Sequence, residues 1–154
     1  MENETIKERF LGTIFGQAVG DALGLSTEFM SKQEVNRLYP NGIEDYSQIV
    51  QDDHRRRWQR GDWTDDTDMM LCILDSFVAC QKVDILDIAR RFKEWMMNIL
   101  KIVLSGGDAD TNAAVAGAIL GAKFGICHIP DEWRNGLLYA SMLHNKVQNL
   151  YSMV

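Results

Sequence analysis

Between Thr5 and Leu25 the apolar residues Ile6, Phe10, Ile14, Val19 and Leu23 return at a helical period rather than alternating as a strand would. A second pattern runs through the same stretch. Gly12, Gly16, Gly20 and Gly24 recur every four residues and form one slowly drifting stripe without side chains. Each helical glycine costs about 1 kcal/mol relative to alanine, so four in one helix imply close approach of a neighbouring backbone. The segment from Asp110 to Phe124 supplies such a neighbour: Ala113, Gly117, Gly121 and Gly125 repeat at four, with Ala114, Ala118 and Ala122 beside them. A further helix opens at Thr64 or Asp65 and continues through Met69, Leu71, Ile73, Leu74, Phe77 and Val78. Another starts at Asp84, an N-cap, passes Ile88, Phe92, Trp95, Ile99 and Val103, and stops at Ser105-Gly106-Gly107. A last helix spans Pro130 to Tyr151, while Leu38 to Trp63 reads as a long polar loop. No strand ladder is visible, so the expected class is all-α, a compact helical bundle.

With 154 residues the chain is expected to fold as one domain with a core of its own. The net charge of -6 argues against a nucleic-acid partner, which needs a basic face. One basic run, His54-Arg55-Arg56-Arg57-Trp58-Gln59-Arg60, is either a solvated loop or a contact for an anionic ligand. Cys72, Cys80 and Cys127 are few, odd in number and set among apolar residues, which suits reduced, buried thiols. The first residues, Met1-Glu2-Asn3-Glu4, are acidic where a secretion signal is basic, and no stretch is long and apolar enough for a membrane span. The expectation is a cytoplasmic protein without a membrane partner.

The chemistry lies in two acidic clusters. Thr64-Asp65-Asp66-Thr67-Asp68 sets oxygen-bearing side chains in a row where a helix begins. Capping explains one or two of them, because Asp and Thr satisfy the open N–H groups of a helix start. Three acids within four residues exceed that need and repel one another. Gly106-Gly107-Asp108-Ala109-Asp110-Thr111-Asn112 repeats the logic, with Asp108 and Asp110 spaced so that both can turn to one point. Oxygen donors alone suit a hard cation such as Mg2+, Mn2+ or Ca2+, and His54, His128 and His144 lack zinc spacing. Four carboxylates match two divalent ions about 3.5–4 Å apart.

Taken together the motifs resemble those of the ADP-ribosylglycohydrolases. The resemblance runs through Gly16-Gln17-Ala18-Val19-Gly20-Asp21-Ala22-Leu23-Gly24 with Glu28-Phe29, then Trp63-Thr64-Asp65-Asp66-Thr67. It continues through Gly106 to Ala114, Gly117-Ala118 and Gly121-Ala122, and ends on Ile129-Pro130-Asp131-Glu132-Trp133. It implies an all-α fold holding two Mg2+ ions, or Mn2+, ligated by Thr64, Asp65 and Asp66 from one side and Asp108, Asp110 and Thr111 from the other. It also implies hydrolysis at the ribosyl C1 of an ADP-ribosylated protein or small ADP-ribose derivative. Asp110 is the first choice for polarising the attacking water and Asp108 the second, with Glu28 an acid that positions water or ligates. Asp21 reads as a polar residue bonded to a neighbouring helix end, and Trp63, Trp133, Phe15, Phe29 and Phe124 as packing. The chain departs from the family in one respect: residues 1–154 form a single domain lacking most of the helical middle section between the two metal motifs. That loss leaves three expectations, namely an open cleft in one chain, a homodimer whose copies complete each other, or an inactive remnant that binds metal or ADP-ribose.

Overall fold

A computed structural model of the protein describes residues 2–99, 114, 117, 118 and 121–152. The regular elements are α1 (Glu2–Gly24), α2 (Lys32–Leu38), α3 (Asp65–Cys80) and α4 (Ile85–Ile99), then α6 (Asp131–Gly136) and α7 (Ala140–Tyr151). Between α4 and α6 lies α5, whose described helical residues are 114, 117, 118 and 121–124. Among the described residues there is no strand. The fold is all-α, as the periodicities require.

The centre of the molecule is α1. Its face Leu11, Ile14, Phe15, Ala18, Val19 and Ala22 is buried against Leu71 and Leu74 of α3 and Leu143, Val147 and Leu150 of α7. Gly12 and Gly16 of the glycine stripe face α5 at backbone distance. A Cβ added at Gly16 runs into the carbonyl of Gly117, and one at Gly12 into the carbonyl of Gly121. The reciprocal additions at Gly117 and Gly121 strike the carbonyls of Gly16 and Gly12. Pairing of 12 with 121 and of 16 with 117 makes the two helices antiparallel. Chain running back from Gly117 to the buried Ala114 is therefore directed toward the Gly20–Asp21 end of α1.

Helix α4 starts where its cap was expected: the Leu86 and Asp87 N–H groups both donate to Asp84 Oδ1, at 3.2 Å each. The path beyond it, including Ser105-Gly106-Gly107, lies outside the described residues. Helix α4 is tied to α3 through Asp68, whose two carboxylate oxygens accept the indole N–H groups of Trp63 (3.0 Å) and Trp95 (3.2 Å).

Several expectations need correction. The C-terminal helix is two helices, α6 and α7. The Tyr46 ring presses on Gly136, and the Leu138 N–H donates to the Gly61 carbonyl at 2.8 Å, so residues 137–139 leave the helical path. The stretch from Leu38 to Trp63 is the largely exposed loop expected, pinned to the core by the buried Tyr39, Tyr46, Ile49 and Arg55 and carrying short 3-10 turns at Tyr46–Gln48 and Arg55–Arg57. Helix α2 was not anticipated. Ser31 caps it and Glu34 bonds back to Ser31, a capping box that Ser31-Lys32-Gln33-Glu34 spells out. The cysteines are free, but Cys127 is exposed and Cys72 and Cys80 are half-buried rather than buried. Phe15 packs in the core, whereas Phe29 and Phe124 are 51% and 47% exposed.

Candidate functional site

The first acidic cluster stands at the mouth of α3, and α1 holds it there. Thr64 is the N-cap residue of α3, yet its side chain makes no capping bond within the helix. Asp21, on α1 and fully buried, does that work instead. The Thr64 N–H reaches its two carboxylate oxygens at 3.2 and 3.1 Å, and the Thr64 hydroxyl donates to Oδ1 at 2.8 Å. The Thr67 N–H and hydroxyl donate to Oδ2 at 3.0 and 2.6 Å. Burial pushes the Asp21 carboxyl up to about 6, and the bonds from Thr67 and Thr64 pull the other way. One turn earlier on α1, Gln17 Nε2 donates to the Asp66 carbonyl at 3.2 Å.

Of the predicted donors in this cluster, Thr64 is buried, Asp66 half-buried and Asp65 exposed. Asp68 serves the two indoles described above. Asp62, just ahead of the cluster, is held above the usual carboxylate range by burial, with the charge of Asp68 adding to the effect. Trp63 is a core residue, as expected, and packs its ring 5.1 Å from Tyr139.

Glu28 is buried. His54 Nε2 lies 2.6 Å from Glu28 Oε2, and since a carboxylate only accepts, the imidazole donates. Edge-on contacts with Phe29 (5.1 Å) and Trp58 (5.4 Å) hold the His54 ring. Arg55, 3% exposed, staples the turn that carries Glu28. Its guanidinium donates to the carbonyls of Leu25 (3.0 Å), Ser26 (2.8 Å) and Glu28, and pairs with Asp52. The basic run is thus divided. Arg55 is a structural bolt, Arg60 donates to the Ile49 carbonyl at 3.1 Å, and Arg56 pairs with Asp53 at the surface. Sequence reasoning missed this role of Arg55, for which the local sequence carries no signal.

Asp108, Asp110 and Thr111, the second half of the expected ligand set, lie outside the described residues. Among the described residues no three His, Cys, Asp or Glu side chains gather where they could hold a metal ion. The half that is described fits a hard cation by its chemistry. Thr64, Asp65 and Asp66 offer only oxygen, and a hydroxyl that gives its hydrogen to Asp21 meets anything else through its lone pairs.

The sequence profile of the ADP-ribosylglycohydrolases matches residues 2–100 and 98–154. The chain belongs to the ADP-ribosylglycohydrolase family. Among its relatives is the ADP-ribosyl dinitrogen reductase glycohydrolase of Rhodospirillum rubrum, 37% identical over 103 residues that make up 62% of this chain and 31% of that protein. The ADP-ribosylarginine hydrolase Tri1 of Serratia proteamaculans is 31% identical over 96 residues, 61% of this chain and 23% of that one. The chain therefore spans less than a third of the length of these curated relatives. No solved structure matches it. The two stretches that match the family profile overlap at residues 98–100, at the end of α4.

Proposed function

We propose that this member of the ADP-ribosylglycohydrolase family hydrolyses the bond between the ribosyl C1 of ADP-ribose and a modified acceptor. In this reading two Mg2+ ions, or Mn2+, are held by Thr64, Asp65 and Asp66 on one side and by Asp108, Asp110 and Thr111 on the other. When bound, such ions supply positive charge that makes water a better nucleophile and orients the ribose hydroxyls. The remaining chemistry belongs to side chains. Asp110, with Asp108 as second choice, accepts a proton from the attacking water. Glu28, fixed by His54, helps to place that water. Water adds at C1, the bond to the acceptor breaks, and the acceptor leaves with a proton as unmodified side chain.

The observation that supports the reading best is the mounting of the helices. Helix α3 is clamped at its start to Asp21, and α5 lies along α1 directed toward that same end. The names of the relatives favour ADP-ribosylated arginine on a protein as substrate. The free thiols suit a reducing compartment such as the cytoplasm. No helix among the described residues is long and apolar enough to cross a membrane.

The decisive assay is release of ADP-ribose from arginine-, serine- and acetyl-linked substrates with Mg2+ and with EDTA. Release from the arginine-linked peptide, lost in EDTA and in Asp110→Asn, is the expected result. Mg2+ binding with no release from any of the three substrates overturns the hydrolase reading.

A further inference from the structure

The start of α3 has an unusual division of labour. A helix that begins Thr-Asp-Asp ordinarily spends those side chains on its own open N–H groups. Here Asp21 takes the N–H groups of Thr64 and Thr67 from a different helix, and both threonine hydroxyls as well. Its carboxylate is fully buried, four protein donors surround it, and Thr67, which supplies two of them, is also fully buried. Gln17 fixes the same turn at the Asp66 carbonyl, so α1 holds the first turn of α3 at two levels.

We propose that Asp21 is the positioning residue of the Thr64-Asp65-Asp66 motif. By capping α3 from α1 it spares the motif's side chains from capping, and by taking the Thr64 hydrogen it turns that oxygen's lone pairs to the cation. The inference rests on the metal reading above and extends it to a residue that itself touches no ion. Groups that orient metal ligands from behind typically change metal affinity 10–100-fold when removed.

The test is Mg2+ affinity, by titration calorimetry on the full chain, for wild type, Asp21→Asn, Thr67→Val and Leu143→Ala. Asp21→Asn keeps the size of the side chain but puts an amide N–H against donors, and a 10–100-fold weaker Kd is expected. Thr67→Val removes one donor to Asp21 and leaves every proposed ligand in place, and a smaller loss in the same direction is expected. Leu143→Ala opens the core at a site fully buried in α7, and should lower Tm without moving the Kd. That contrast separates positioning from mere stability. Wild-type Kd in folded Asp21→Asn overturns the proposal, as does an equal loss in Leu143→Ala. If Asp21→Asn does not fold, an unchanged Kd in Thr67→Val overturns it instead. Failure of the metal reading is distinct, because then wild type itself binds neither Mg2+ nor Mn2+ and the proposal falls with it.

Discussion

Arg55 shows how one buried side chain can set a segment's course. Its guanidinium spends its donors on the carbonyls of Leu25, Ser26 and Glu28 and on Asp52, all within the connection that follows α1. Replacing it with Met leaves these acceptors buried without donors, and a loss of about 3–5 kcal/mol is expected in urea denaturation. Arg55→Lys, with a point charge in place of a planar fork, should recover only part of that loss. A loss below 1 kcal/mol for Met would show that the turn holds itself. Neither this bolt nor the Asp21 clamp could be read fully from the chain. Asp21 reaches Thr64 across 43 positions and Arg55 reaches Leu25 across 30, and neither pairing leaves a local trace. Sequence pointed to Asp21 as a residue bonded to a helix end, because an acid inside an apolar, glycine-lined helix needs a partner. The identity of that partner is a property of the packing.

Among the elements, α1 and α5 were the most legible. Glycines at every fourth position are conspicuous because each carries a helical cost, and at Gly12, Gly16, Gly117 and Gly121 the structure shows a carbonyl where the side chain would be. Gly16→Ala places a methyl group against the Gly117 backbone, which no rotamer change can relieve. A loss of about 1–3 kcal/mol is expected by thermal denaturation, since overpacking forces the two helices apart. An unchanged or raised Tm would mean that the contact is looser than described. Less legible was the break between α6 and α7. Residues 130–151 carry a continuous helical signal, but the ring of Tyr46, far off in sequence, occupies the space beside Gly136. Helix α2 is the opposite case, since the capping box that starts this seven-residue helix is wholly local in the sequence.

For the molecule as a whole, the binding of a cation is the most economical property to measure. A site that assembles only in the folded state adds RT ln(1 + [L]/Kd) to stability, about 2.7 kcal/mol when Mg2+ stands at 100 times Kd. Millimolar Mg2+ should therefore raise Tm by several degrees over EDTA, and Asp65→Asn with Asp66→Asn should erase the rise. Identical melting with Mg2+ and EDTA would count against an assembled site. The shared dependence of α3 and α5 on α1 bears on how this family can vary. Each is registered to the same strut, α3 by the Asp21 carboxylate and α5 by glycines that mesh with Gly12 and Gly16. A change of length after α4 would leave both of those registrations untouched, so the two helices would keep a common datum on α1.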